Sequence, residues 1–498
     1  MTATERDGGL GIRAALPSVT ARLPGFLPAQ RWYGGKERAV DRVEIRDTAI
    51  VPDHPTALLA VVDVFTGDAE PTTYFLPLGL ADPTQAEVPG ETVARHGDLV
   101  VRDAIADPGT CRALLRGMLD GRTLRTALGG RFIFQPVRGQ DGRPGHGGED
   151  VEAMAIRHAG VEQSNSSVIF GTAFILKALR RLAAGTNPEI EIPRFLGEHT
   201  TFDRVPALVG WAEYCSPDGS SAPVAVLQRF VPNQGDGWSY VLRHVEREDL
   251  ADEIAELGRT LGGLHLALAS CPDVPEFAPA AIGRDDVDAW RRRTHGSLED
   301  VLARVARGLQ NGPAGTGWSS EDRRLGAAVR DGAERLRAAI DGIEALADGR
   351  TAKTRHHGDF HLGQTLVAPD GWVIIDFEGE PLRSLIERRA KQTPLRDLAG
   401  LLRSLDYARA TAERQGAGDE AGLAGVFAQC REALLAAYVE TVRAAGAPLL
   451  PAGPEALGRV LLALETEKAL YELTYELGNR PDWVSIPLSA LARLAQAA

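Results

Sequence analysis

From Gln234 to the C-terminus the chain repeats apolar residues at helical spacing, most clearly over Asp249–Ala269, Asp322–Ala347 and Leu423–Ala445, and it departs from that pattern once. Between Thr351 and Phe377 a polar stretch leads into the short apolar run Trp372–Ile375, which reads as a strand. Such a chain folds as a helical body with one irregular insertion, and residues at the edges of that insertion escape helix geometry. At 498 residues it is also too long for one ordinary core, so two or three structural units are expected.

The first half has a different rhythm. After an amphipathic start near Leu16, apolar runs such as Ala57–Val64 are bounded by Pro, Asp and Gly and read as strands, giving a small α+β unit to about Leu80. Asp103–Leu128 carries Leu114, Leu115, Met118 and Leu124 at helical spacing. The run GQDGRPGHGGED at Gly139–Asp150 has too little apolar surface to pack and reads as a mobile surface loop. Val168–Phe170, Ala173–Leu176 and Val224–Val231 then sketch a small antiparallel sheet, the first two joined by a tight turn at Gly171 and Thr172.

Composition removes several function classes. With 68 acidic against 55 basic residues, the net charge of −13 gives no electrostatic case for nucleic acid or an anionic membrane surface. The cysteines Cys111, Cys215, Cys271 and Cys430 are far apart and read as reduced thiols. The N-terminus lacks a basic-then-apolar leader, and no apolar stretch reaches the roughly 20 residues that span a bilayer. The expectation is a cytoplasmic protein acting on small molecules, as a monomer or weak homodimer.

The densest chemistry lies at the edges of the insertion. His356-His357-Gly358-Asp359-Phe360-His361-Leu362-Gly363-Gln364 precedes the strand, and Ile375-Asp376-Phe377-Glu378-Gly379-Glu380 follows it. Two carboxylates, Asp359 and Asp376, therefore flank a strand with the amide of Gln364 between them. Phosphoryl transfer needs these parts: a base to orient and deprotonate a hydroxyl, and oxygen ligands for Mg²⁺ on the phosphates. Two other readings stand beside it. His357 and His361, four apart around Asp359, would suit a metal cluster such as zinc, and Gly358 would suit a purely structural turn. His357 reads as a histidine that orders the loop.

These segments resemble the aminoglycoside-phosphotransferase-like branch of the protein-kinase superfamily, whose pattern H-G-D-x-H-x-x-N then D is matched by HGDFHLGQ then IDFEGE. Gln364 departs from the usual Asn, with the same amide oxygen on a longer stem. The resemblance implies Asp359 as catalytic base, with Gln364 and Asp376 holding Mg²⁺. In a kinase-like lobe a turn between two strands covers the ATP phosphates and a lysine on the next strand reaches them. Gln163, Ser164, Asn165, Ser166 and Ser167 supply small polar residues for the first role, and Lys177 fits the second. Glu191 is the preferred carboxylate partner of Lys177, with Glu189 the alternative, and the backbone of Gln228 and Phe230 would meet adenine.

Near the C-terminus Glu465, Lys468, Glu472, Tyr475 and Asn479 fall on one helical face. Such a stripe is either a solvated face with ion pairs or a set of sugar contacts. The block IDFEGEPLRSLIERRAKQTPLRDLAGLLRSLDYA, the run QRWYGGK at Gln30–Lys36 and YELTYELGNRPDWVSIPL resemble actinobacterial maltokinases, with matches at the beginning, middle and end of the chain. That resemblance implies an α+β, bilobal protein-kinase-like fold: an N-terminal α+β cap at 1–105, an intermediate subdomain with a small antiparallel sheet at 106–231 that completes the nucleotide-binding lobe, and a mainly helical C-terminal lobe at 232–498. It implies Asp359, Glu378, Lys468, Tyr471, Glu472 and Tyr475 as sugar-binding residues, ATP as co-substrate, and maltose 1-phosphate, a donor for α-glucan and glycogen synthesis, as product. Rival readings are an aminosugar kinase acting on glucosamine, a choline or aminoglycoside kinase, and a non-catalytic sugar or nucleotide sensor.

Overall fold

The computed structural model describes residues 3–36, 38–67, 70–81, 92–138, 150–159, 165–310, 318–380 and 383–498. The glycine-rich stretch expected to form a surface loop lies, up to residue 149, outside them. The backbone separates into two compact units, Met1–Gly197 with Pro206–Pro232, and Glu198–Val205 with Asn233–Ala498.

The first unit opens with helix α1 (Ala3–Phe26), followed by strands β1 (Arg42–Ile50), β2 (Ala57–Phe65), β3 (Thr72–Leu80), β4 (Thr92–His96) and β5 (Leu99–Asp103). They form an antiparallel sheet in the order β1-β2-β3-β5-β4. The continuous apolar run seen in the sequence is β2, which is buried on both faces. Leu58, Ala60 and Val62 pack with Ile12, Val19 and Leu23 of α1, whereas Ala57, Leu59 and Val61 share a second core with Phe132, Phe170 and Phe174.

Helix α2 (Pro108–Asp120) is capped by the Asp107 carboxylate, which accepts the Thr110 N–H, and is ended by Gly121 at φ 71°. It is therefore shorter than the periodicity over Asp103–Leu128 predicts. The left-handed turn that glycine adopts without Cβ strain lets β6 (Thr123–Arg125) begin. The remaining strands are β7 (Arg131–Pro136), β8 (Ile156–His158), β9 (Asn165–Phe170), β10 (Phe174–Leu179), β11 (Leu208–Cys215) and β12 (Ser221–Arg229). The resulting seven-stranded antiparallel sheet runs β6-β7-β11-β12-β10-β9-β8, with helix α3 (Pro188–His199) between β10 and β11. Beyond β10 the backbone continues onto β3: Phe75 N–H donates to Arg180 O at 2.7 Å and Leu182 N–H to Thr73 O at 2.9 Å.

The second unit is helical, with α4 (Gly237–Arg243), α5 (Leu250–Leu268), α6 (Arg284–Gln310), α7 (Ser320–Asp331), α8 (Ala333–Asp341), α9 (Leu385–Arg389), α10 (Leu395–Gln415), α11 (Glu420–Ala444), α12 (Gly453–Asn479) and α13 (Ser485–Ala497). The segment Asp322–Ala347, which reads as one helix, divides at Gly332. A Cβ there would lie 2.8 Å from the Ala495 Cβ, so the close approach of α13 requires glycine. Leu470 and Leu473 of α12 pack with Leu298 and Val301 of α6 and Leu488 and Leu491 of α13, and each such buried side chain contributes about 1.5–3 kcal/mol. The irregular insertion holds a hairpin of Thr365–Ala368 with Gly371–Ile374. Among the described residues no helix is long and apolar enough to cross a membrane.

Candidate active site

Asp397, near the start of α10, organises the insertion. Its carboxylate is 1% exposed and accepts the backbone N–H of His357 at 2.7 Å and of Gly358 at 2.9 Å, while His265 Nε2 lies 3.1 Å away. Burial works to raise its pKa, but His356 and the hydrogen bond from His265 win and hold it well below the usual carboxylate range. Gly358, at φ 89°, supplies the turn. His357 Nε2 faces Ile375 O at 2.8 Å and so carries the proton, leaving Nδ1 to accept the Asp359 N–H at 3.4 Å. Its ring packs between Phe360 and Phe377. One imidazole thus ties the segment before Asp359 to the strand end before Asp376.

The hairpin brings Gln364 and Asp376 together, with Gln364 Nε2 2.9 Å from Asp376 Oδ2. Asp376 adopts φ 65°, a left-handed conformation shared among the described non-glycine residues only by Asp53. Such a conformation costs on the order of 1–3 kcal/mol and tends to persist where the carboxylate direction matters. The Gln364 amide donates through Nε2 to Asp376, and its oxygen together with the Asp376 carboxylate offers hard donors of the kind that suit Mg²⁺, which commonly takes one or two protein ligands and completes its shell with phosphate and water. The alternative histidine cluster does not form. His357 is engaged with Ile375 O, and His361 Nδ1 accepts the Gly363 N–H at 3.1 Å. Among the described residues no group of three or more His, Cys, Asp or Glu is placed to hold a metal ion.

Asp359 Oδ1 meets Lys468 Nζ, from α12, at 3.1 Å, and the same ammonium lies 2.9 Å from Glu380 Oε1. Burial disfavours the Lys468 charge, yet Asp359 and Glu380 together push its pKa up. Glu380 also pairs with Arg383 at 2.5 Å, and the two cations overcome burial to bring its pKa down. Lys468 Nζ sits 4.9 Å from the Tyr471 ring centre, and burial first, then Glu380, raises the Tyr471 phenol to about 12. Asp359, Glu380, Lys468 and Tyr471 line a cavity of about 60 Å³.

Other members of the α12 stripe look elsewhere. Glu472 is committed to Arg403, with Nη2 at 2.7 Å, and Glu465 to Arg431 at 2.5 Å. Tyr475 carries Arg480 over its ring, 5.5 Å from the centre, and Asn479 donates to Tyr475 O at 2.9 Å. Glu472 is therefore an internal ion-pair partner rather than part of the cavity wall. Periodicity finds the shared face, but Arg403 on α10 and Arg431 on α11 cover part of it. The Glu378 backbone oxygen accepts from Arg388 at 3.0 Å.

In the first unit, Lys177 sits within β10, opposite Ser167 of β9 and Val226 of β12. The carboxylate set against its Nζ, at 3.3 Å, is Glu189, which is 1% exposed. Glu189 thus takes the place expected for Glu191. Two helical residues apart means about 200° of rotation, so the two carboxylates of α3 cannot share a face. Asn165, Ser166 and Ser167 are strand residues of β9 rather than part of a covering turn, and Ser166 Oγ accepts from Arg180 Nε at 2.9 Å. Gln163 and Ser164 lie outside the described residues. Phe230 N–H already donates to Ala173 O at 3.0 Å, and Gln228 pairs with Ile175 in the same ladder.

Sequence reasoning missed Asp397. Its signal is the single acidic residue of the stretch LRDLAG, with partners far away in the chain.

The family described as Phosphotransferase enzyme family matches residues 156–433, more than half of the chain. This chain belongs to that family. The phosphotransferase also matches the maltokinase N-terminal cap domain over residues 26–107. Its acceptor is an alcohol group. It is 29% identical over 348 residues to a glucosamine kinase of Streptacidiphilus jiangxiensis, covering 67% of this chain and 72% of that protein. It is 28% identical over 356 residues to a glucosamine kinase of Mycolicibacterium smegmatis (strain ATCC 700084 / mc(2)155), covering 69% and 80%. Among solved structures, a glucosamine kinase in complex with glucosamine, ADP and inorganic phosphate superposes with a TM-score of 0.63 at 22% identity, over 95% of this chain and 99% of the other. That likeness is one of fold, a kinase-like fold with a helical C-terminal region.

Proposed function

We propose that the phosphotransferase is an ATP-dependent sugar kinase whose acceptor is a neutral sugar, maltose first, giving ADP and α-maltose 1-phosphate. The observation that carries this reading is charge balance around Asp359. Asp359 and Glu380 share Lys468, Glu380 also has Arg383, and Glu467 has Arg396 and Arg293. An ammonium group on the acceptor would find each of these carboxylates already matched by a cation, whereas a neutral hydroxyl loses nothing by entering. The maltokinase cap match supports the same choice. The glucosamine kinases among the relatives are the reason to keep an aminosugar as the second reading.

In the proposed step the anomeric hydroxyl of the sugar attacks the γ-phosphorus of ATP in line. The bond from γ-phosphorus to the β–γ bridging oxygen breaks, ADP leaves, and the hydroxyl proton passes to Asp359. Lys177, held by Glu189, supplies positive charge to the phosphates. Gln364 and Asp376 would hold Mg²⁺, which when bound neutralises the charge on the β- and γ-phosphates. His357 and Asp397 keep Asp359 in place.

The test is an ATP-consumption screen across maltose, glucose, glucosamine and an aminoglycoside, with phosphorus NMR of the product. Maltose should be preferred, with the new phosphate at the anomeric position. Asp359→Asn should lower turnover by about 10²–10⁴-fold while ATP still binds. Preference for glucosamine would overturn the neutral-acceptor reading, and nucleotide binding without turnover of any acceptor would make the protein a sensor.

A further inference from the structure

The segment QRWYGGK, which the phosphoryl-transfer chemistry leaves without a role, folds against the far end of β10. Trp32 and Tyr33 are buried, and their ring centres lie 6.0 Å and 5.5 Å from that of Tyr74 on β3. Gly35 makes room for this packing, since a Cβ there would lie 2.6 Å from the Tyr33 hydroxyl. The guanidinium of Arg180 sits over the Trp32 ring, 4.8 Å from its centre. Arg180 directly follows β10, is 1% exposed, and donates through Nη2 to Asp103 Oδ2 at 2.7 Å and through Nε to Ser166 Oγ at 2.9 Å. Asp103, the last residue of β5, is itself held, its Oδ1 accepting the Ile105 N–H at 3.1 Å.

Along β10 the side chains alternate between two faces. Phe174, Leu176 and Ala178 enter the core shared with the five-stranded sheet, and Arg180 continues that row as its one charged member. Lys177 and Leu179 take the other face, where Leu179 packs with Ile190 of α3, the helix that carries Glu189. In the β9–β10 ladder Ser166 pairs with Ala178 and Ser167 with Lys177. Arg180 therefore grips β9 one residue away from the partner of Lys177. A buried guanidinium stabilises a fold no better than a well-packed apolar side chain, but its rigid fork dictates where each partner sits. Here the partners come from three separate segments: residues 30–36, the end of β5, and β9.

We propose that Trp32, Asp103 and Arg180 form a clamp that fixes β9 against β10 and so holds Lys177 where it meets the ATP phosphates, with Arg180 as the positioning residue. The inference rests on the role given to Lys177 in the proposed function. The five-stranded sheet then serves nucleotide binding through β10: it sets the end of that strand, and with the end set, Lys177 and Glu189 keep their 3.3 Å approach. With the clamp released, β10 shifts against β9 and the ammonium no longer meets the phosphates in a single geometry.

The experiment is calorimetric titration of the full chain with ATP and Mg²⁺, without acceptor, for Arg180→Met, Lys177→Met and the double variant. Each single change should weaken ATP binding by about 10-fold, and the double variant should be weaker than Lys177→Met by no more than about twofold, because the clamp works through that lysine. Arg180→Lys, which keeps the charge but not the fork, should fall between Arg180→Met and wild type. If Arg180→Met does not fold, Asp103→Asn, which keeps the shape and removes the counter-charge, gives the same reading with a loss of about threefold or more. Unchanged ATP affinity in the Arg180 and Asp103 variants, with only the melting temperature lowered, would make the clamp a structural tie and overturn the proposal. Losses that multiply in the double variant would do the same, as would an equal rise in KM for maltose, which should stay within about twofold. Wild-type ATP affinity in Lys177→Met would remove the phosphate role of Lys177 and the clamp with it, whereas failure of the clamp alone leaves that variant weakened and the Arg180 variants normal. The titration contains no sugar, so it reads the same whichever acceptor the enzyme uses.

Discussion

Asp397 accepts the His357 backbone N–H at 2.7 Å across 40 residues of sequence, so the position of the proposed base is set from α10 rather than from its own loop. Asp397→Asn keeps the shape but removes the charge that both loop amides and His265 share. Turnover should fall on the order of 10-fold or more with KM for ATP little changed, because charge-assisted hydrogen bonds contribute about 1.5–3 kcal/mol each. Kinetics together with urea unfolding would separate loss of loop geometry from loss of fold.

The Lys177–Glu189 pair offers a sharper discrimination. Glu189→Gln should raise KM for ATP or lower kcat by about 10-fold, since it removes the carboxylate charge 3.3 Å from the buried Lys177 ammonium. Glu191→Gln, on another face of α3, should stay within about twofold. If the two variants behave alike, Glu189 is not the residue that orients Lys177.

Lys468→Met removes the cation shared by Asp359 and Glu380. Glu380 then keeps Arg383 alone, and Asp359 loses the group that aims it. Turnover should fall by about 10- to 100-fold, with acceptor KM rising and ATP binding unaffected. Isothermal titration with ATP checks the last point.

His356 sets a pH window for stability. Its folded pKa of about 4, depressed by burial, lies below the ordinary 6.5 of the unfolded chain. Between those values the unfolded state binds a proton that the folded state refuses, so stability falls as pH drops from about 6.5 towards 4, by up to about 3 kcal/mol. Denaturant unfolding at pH 7, 6 and 5 should show that decline, and His356→Gln should flatten it. An equal slope in the variant would assign the effect to other groups.

What the sequence discloses and what it hides follow from the range of the forces involved. The apolar runs of β2 and of Trp372–Ile375, the Gly171 turn and the long helices are local signals, legible within a few residues, whereas the partner strand Thr365–Ala368 reads as part of a polar loop. Helix ends at Gly121 and Gly332 were blurred because periodicity persists across them, and only a left-handed turn or the approach of Ala495 stops the helix. Choosing Glu189 over Glu191 needs the phase of α3 against β10, which no local pattern supplies. Glu472 and Glu465 resemble solvent-facing charges until Arg403 and Arg431 arrive from neighbouring helices.

The chain leaving β10 passes from Leu179 into backbone bonding with Phe75 and Thr73 of β3. A protein trimmed to begin after the five-stranded sheet would present Arg180–Leu182 as a raw strand margin, and raw margins recruit other chains. Attempts to make a minimal catalytic fragment should therefore yield aggregates, and a soluble smaller version has to keep β3 or replace it with an equivalent ribbon.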